Sequence, residues 1–246
     1  MKFYAIDFGH TNYKIGLIKD NNVISKFKSG YHEHSIIDEL NSKSEYSEFG
    51  KILCSSVIDE NIINSILNEL PSDIKNLIKF IKTEDCQKFL SVAYKKNSHR
   101  LGVDRALNLI AASKRCDSDL IVIDAGTAIT IDYLDLNKKH LGGIILPSKE
   151  IIDRIFLEML SFNFLEEEVQ ETIFSQNTRS CIENGSRISA YNSINYIIDK
   201  MSSKSKTSPV IYITGGNAQN IIENCNHSLI HVESLLFEGL ACVESD

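Results

Sequence analysis

LIVIDAGTAITIDYL, residues 120–134, decides the fold. Leu120 to Ile123 is an apolar run of strand length, and Asp124-Ala125-Gly126-Thr127 after it has turn composition. Ala128 to Leu134 reads as a second strand, Asp135-Leu136-Asn137 turns the chain, and residues 141–146 (LGGIIL) give a third. The same order stands at the start of the chain. Residues 2–7 (KFYAID) read as a buried strand and 13–19 (YKIGLIK) as its neighbour; Asp20-Asn21-Asn22 is a hairpin signal, and 23–28 (VISKFK) closes the set. Asp124 lies 117 residues after Asp7, so Ile6-Asp7-Phe8-Gly9 overlies Ile123-Asp124-Ala125-Gly126. One such pattern can be chance; a strand, Asp-x-Gly, strand, turn, strand order that occurs twice argues for a duplicated unit.

Helical spacing follows each meander. In the first half it covers 33–41, 59–70 and 104–115, with a short strand at 51–54. In the second half helices are expected at 149–168 and 178–203, then a strand at 209–213, the loop Thr214-Gly215-Gly216-Asn217, a helix at 218–224, a strand at 228–233 and a last helix at 234–243. Strands followed by helices, done twice, predict an α/β protein of two similar domains, 1–115 and 116–246, each of ordinary size.

Composition sets the outer limits. The chain has 246 residues, 43% hydrophobic and 24% charged, enough apolar material for a packed core. A net charge of -7 disfavours nucleic acid as a partner, which calls for a basic excess. It leaves room for a small anionic ligand held by backbone N–H groups. The six cysteines form no CxxC pair and read as reduced thiols. No apolar run reaches the ~18 residues of a membrane span, and MKFYAIDFGH carries no signal-peptide pattern. The expectation is a cytoplasmic protein with no membrane partner. His32, His34, His99, His140, His227 and His231 lack zinc spacing, and Glu166-Glu167-Glu168 reads as a solvated helix face.

Three segments carry chemistry. In Asp7-Phe8-Gly9-His10-Thr11-Asn12 a strand-end carboxylate precedes a glycine and a hydroxyl, the groups that phosphates and their Mg²⁺ require. A capped turn uses the same residues, and alone that reading would win. Asp124-Ala125-Gly126-Thr127 repeats the set, so two Asp-x-Gly hairpins can clamp one polyphosphate. Thr214-Gly215-Gly216-Asn217 sits between a strand and a helix, where paired glycines let an adenine or ribose approach the backbone.

In this order the three segments resemble the phosphate-1, phosphate-2 and adenosine elements of the acetate kinase, sugar kinase, chaperone and actin superfamily. That resemblance implies two ribonuclease H-like domains in tandem, mixed sheets flanked by helices. Tyr94 with Leu101-Gly102-Val103-Asp104-Arg105 and Ala111-Ala112 narrows it. So do Asp124 to Asp132 with Gly142-Gly143-Ile144-Ile145-Leu146-Pro147, and Asn177-Thr178 with Ile182 and Gly185. Together these resemble type III pantothenate kinase, which implies ATP-dependent phosphorylation of pantothenate by a homodimer.

Roles follow from the resemblance residue by residue. Asp104 matches the proton acceptor; its competing reading is a helix N-cap. Arg105 matches the partner of the substrate carboxylate, where a forked guanidinium makes two hydrogen bonds. Tyr94, Gly102, Val103 and Thr178 match pantothenate contacts. Asp7, Phe8, Gly9, His10, Thr11, Asn12, Tyr13 and Lys14 match the ATP phosphate segment, Thr127 a second ATP contact, and Asp124 a ligand of K⁺ or NH₄⁺, with Mg²⁺ accompanying ATP. His10 stands where the family has Asn, and Ser148 where it has Gly. Two other functions fit the scaffold: a kinase or phosphohydrolase with a different acceptor, and a non-enzymatic regulatory protein.

Overall fold

A computed structural model describes residues 2–31, 33, 35–42, 50–93, 101–160, 168–205 and 208–245. Tyr94, His32, His34, His99, Glu166 and Glu167 lie outside them. Two compact units are present, Met1–Asp117 with Asn137–His140 and Ser234–Asp246, and Ser118–Leu136 with Leu141–Glu233.

The first unit holds β1 (Lys2–Phe8), β2 (Asn12–Lys19), β3 (Asn22–Gly30), β4 (Ile52–Ser56) and β5 (Ile78–Phe80) in the order β3-β2-β1-β4-β5. β1 runs antiparallel to β2 and parallel to β4. Asp20 and Asn21 make the β2–β3 turn at φ 49 and 63, the left-handed backbone of a two-residue hairpin. The helices are α1 (Ile36–Ser42), α2 (Glu60–Glu69), α3 (Ser72–Lys75) and α4 (Val103–Arg115), with a 3₁₀ segment at Thr83–Lys88. Asp59 caps α2 by accepting from the Asn61 N–H. Ile6, Phe8, Tyr13, Ile15, Leu40 and Ile63 belong to the core beside this sheet. Burying each such side chain contributes about 1.5–3 kcal/mol.

The second unit repeats the plan. β6 (Leu120–Ala125), β7 (Ala128–Leu134), β8 (His140–Pro147), β9 (Val210–Thr214) and β10 (Ile230–His231) lie in the order β10-β9-β6-β7-β8. Read from the other edge, that is the first sheet's order. Again the leading strand is antiparallel to the next and parallel to the fourth. Its helices are α5 (Lys149–Leu160), α6 (Thr178–Ser202) and α7 (Ala218–Asn224). The core gathers Ile121, Ile123, Ile131, Ile194, Ile198 and Ile213. Asn177 caps α6, its side chain accepting from Ser180 N at 2.7 Å.

The last helix, α8 (Leu235–Ser245), belongs to the first unit. A Cβ on Gly239 would run into the Leu107 backbone, so this glycine lets α8 close on α4. Arg115 grips Glu238 with two nitrogens at 2.8–3.0 Å, and Glu244 pairs with Lys51 and Lys79. Sequence-based bounds hold to within a few residues for most elements. Of the expected helix over 149–168, Lys149–Leu160 form α5, residues 161–167 lie outside the described residues, and Glu168 is exposed and not helical.

Candidate active site

Asp7 is the next-to-last residue of β1, within its buried run, and is 4% exposed. A carboxylate this buried needs polar partners. Ser55, its register partner on β4, donates Oγ to Asp7 Oδ1 at 3.0 Å, and Lys14 Nζ stands 3.4 Å from Oδ2. After it the backbone tightens: Gly9 N donates to Asn12 O at 3.1 Å, and a Cβ on Gly9 would lie 2.9 Å from that oxygen. Tyr31 donates its hydroxyl to Gly9 O at 3.1 Å. Burial pushes the Tyr31 phenol up, and Asp7 adds to the shift. His10 and Thr11 are exposed at the tip. Phe8 and Tyr13 are core residues, Phe8 stacked on Phe80 and Tyr13 tilted against Tyr31. Contact between either and a nucleotide would therefore be through backbone. Burial, then Glu39 and Asp38, pushes the Tyr13 phenol up to about 12.

Asp104 lies in the first turn of α4, whose N-cap is Gly102, not Asp104 itself. Its Oδ1 accepts from Arg105 N at 2.8 Å, so the carboxylate sits at the positive end of the helix. That carboxylate also lies over Gly102: a Cβ there would meet Asp104 Oδ1 inside contact distance. Arg105 is 7% exposed, so it is not a solvated surface arginine. Gly102 and Val103 help line a cavity of about 700 Å³ with Ile63, Phe80, Thr83 and Glu84. Its wall mixes apolar side chains with Ser56, Glu60, Asn64, Lys82, Thr83 and Glu84, and its volume is in the range of a small-molecule pocket.

In the second unit Asp124 is half-buried, with Thr130 opposite on β7 and Thr214 opposite on β9. The duplicated strand ends therefore match in chemistry as well as topology: Asp7 faces Ser55 and Asp124 faces Thr214 across parallel pairs. Thr127 is exposed in the turn. Gly215 has φ +97, and a Cβ on it would stand 2.5 Å from the carbonyl carbon and oxygen of Ala125. Its smallness is therefore required by packing on β6, a reason the sequence reading did not contain. Asn217 N donates to Ala125 O at 2.9 Å, and its side chain donates to Glu150 Oε2 at 3.0 Å. Thr178 is the exposed first residue of α6, and the capping role falls to Asn177.

The first unit thus holds the Asp7 turn and the Gly102-Asp104-Arg105 turn; the second holds Asp124, Thr127 and Thr178. Ser55, Tyr31 and Thr83 were not singled out from sequence, since they belong to no motif. The two hydroxyl residues that end 52–56 (ILCSS) are a signal that could have pointed to Ser55. Carboxylate oxygens of Asp7 and Asp124 are hard donors that fit Mg²⁺ or a monovalent cation. Among the described residues no group of three or more His, Cys, Asp or Glu could hold a metal ion, and no helix is long and apolar enough to cross a membrane.

A family model described as type III pantothenate kinase matches residues 3–200. A type III pantothenate kinase from Finegoldia magna is 27% identical over 255 residues, covering 97% of this chain and 95% of that protein. A solved structure from Campylobacter jejuni, described as a conserved Baf family transcriptional activator, is similar with a TM-score of 0.62 and 26% identity, covering 99% of this chain and 98% of the other. The activator of 2-hydroxyisocaproyl-CoA dehydratase from Clostridium difficile, with bound ADPNP, gives a TM-score of 0.54 at 13% identity over 100% and 95% of the two chains. That likeness shows the fold, a duplicated actin-like ATPase architecture.

Proposed function

The chain belongs to the type III pantothenate kinase family, and from that premise we propose that Asp104 takes the proton from the primary hydroxyl of pantothenate during phosphoryl transfer. The reaction is ATP-dependent phosphorylation of pantothenate to 4'-phosphopantothenate, the first step of coenzyme A synthesis. The observation that carries this reading is the family match across residues 3–200.

Such a transfer asks little covalent chemistry of a protein; it asks for alignment and charge stabilisation. Asp104, fixed by the Arg105 N–H at the start of α4, is a carboxylate in a defined place. Arg105 pairs with the substrate carboxylate, and Gly102 and Val103 with the cavity beside them receive its body; Tyr94 and Thr178 are assigned as pantothenate contacts by their match to the family's motifs alone. The Asp7–Lys14 segment holds phosphate through its tight backbone and the Lys14 ammonium, with Thr127 as a further contact. Mg²⁺ near Asp7 and K⁺ or NH₄⁺ near Asp124 would offset phosphate charge when bound.

The working unit is a homodimer in the cytoplasm. Exposed apolar side chains in the second unit, among them Ile145 on β8, Met159 on α5, and Ile173 and Phe174 before α6, supply material for an interface. The name of the Campylobacter structure favours a second reading, a regulatory protein on the same scaffold. ADP release with and without pantothenate separates the two: the kinase gives a pantothenate-dependent signal, and the regulator gives none.

A further inference from the structure

We propose that Thr83, which belongs to none of the motifs above, is a positioning residue for Asp104. The proposal rests on the reading of Asp104 as the proton acceptor. Thr83 opens the 3₁₀ segment and is 5% exposed. Its hydroxyl donates to the carbonyl of Leu101 at 2.7 Å. Leu101 is itself 1% exposed, so that carbonyl has no ready access to water. Buried carbonyls need a partner, and this one has a side chain from 18 residues away.

What the bond holds is the approach to α4. Directly after Leu101 comes Gly102, with φ -54 and ψ 136, and then the helix begins. Asp104 folds back over the Gly102 α-carbon to reach the Arg105 N–H. The place of the carboxylate is thus set by the place of Gly102, one peptide from the carbonyl that Thr83 grips. The grip has a firm base. Lys82 N donates to Asp85 Oδ2 at 2.8 Å, and Asp85 N donates to Lys82 O at 3.0 Å, which closes the turn around Thr83. Thr83, Leu101 and Gly102 also share the wall of the 700 Å³ cavity, so the bond lies beside the space proposed for the substrate.

A hydroxyl that merely satisfies a buried carbonyl would contribute stability alone. A positioning hydroxyl acts through Asp104, and a double-mutant cycle separates the two. Thr83→Val removes the hydroxyl at nearly constant volume, and Thr83→Ser keeps it. Each is placed in the wild-type and the Asp104→Asn backgrounds, and kcat and both KM values are measured. A misplacement near 1 Å can cost about 100-fold, and a turn still held by Asp85 should lose less. The expected result is a fall in kcat of about tenfold for Thr83→Val with KM for ATP unchanged. Thr83→Ser should stay near wild type, and Thr83→Val should have almost no effect on the residual turnover of Asp104→Asn.

An unchanged kcat in Thr83→Val overturns the proposal. So does an equal fall in both backgrounds, or a fall in Thr83→Ser as large as in Thr83→Val. If Asp104→Asn turns over like wild type, the proton-acceptor reading fails; a slow Asp104→Asn beside a normal Thr83→Val sinks the Thr83 proposal alone. Circular dichroism checks folding, and Thr83→Ala replaces Thr83→Val in the cycle if the valine variant does not fold.

Discussion

Replacing Ser55 with Ala tests whether the orientation of Asp7 matters. Ser55 is fully buried, and its hydroxyl donates to Asp7 Oδ1 at 3.0 Å. A hydrogen bond to a charged group is worth about 1.5–3 kcal/mol. The second oxygen of Asp7 keeps Lys14 at 3.4 Å, a looser tether, so the carboxylate stays near its place without being fixed there. The loss should fall at the low end, about 1.5–2 kcal/mol, which is roughly thirteenfold to thirtyfold in rate. The proposed phosphate segment begins at Asp7, so the loss belongs in kcat/KM for ATP, with KM for pantothenate unchanged. The assay is steady-state ADP release with ATP varied at saturating pantothenate. Thermal unfolding alongside should shift by only about 2–4 °C per kcal/mol lost. Unchanged kcat/KM for ATP in a folded Ser55→Ala enzyme would refute the reasoning, because a carboxylate whose orientation is irrelevant cannot be a fixed part of a phosphate site.

Gly215→Ala forces a side chain into left-handed backbone and against Ala125 at 2.5 Å. Strain and overpacking together should cost about 3 kcal/mol, a drop of about 10 °C in Tm; a drop under about 2 °C would mean that β9 and β6 can part at little cost. Turnover should be far higher in KCl than in NaCl, and equal rates would remove Asp124 from its proposed role as a monovalent-cation ligand. Sedimentation should give twice the 27.7 kDa chain mass, and Phe174→Glu should shift the protein toward monomer; a wild-type monomer would contradict the dimer.

The two meanders are legible in the sequence because their strands are apolar runs closed by Asp, Asn and Gly. Both Asp-x-Gly turns could be found because a turn is local and occurs twice. β5 is harder to read: three residues, Ile78-Lys79-Phe80, hold no period, and they are a strand only because β4 supplies a parallel neighbour. β10 is likewise two residues paired to β9, shorter than the strand expected over 228–233. The supporting groups escape for the same reason. Ser55 lies 48 residues from Asp7, and Thr83 lies 18 from Leu101. Neither pairing exists until the sheet and the turn are built. Gly215 was visible as a glycine, but its cause, the Ala125 backbone, lies 90 residues earlier in the chain and emerges only when β9 pairs with β6.

The central claim is that Asp104 is the proton acceptor in pantothenate phosphorylation. The most direct test is single-turnover phosphorylation of pantothenate by Asp104→Asn at saturating ATP, with folding checked by circular dichroism. The expected result is a rate lowered by about 10²–10⁴, the usual worth of a general base, in a folded protein. Turnover within about twofold of wild type would contradict the claim.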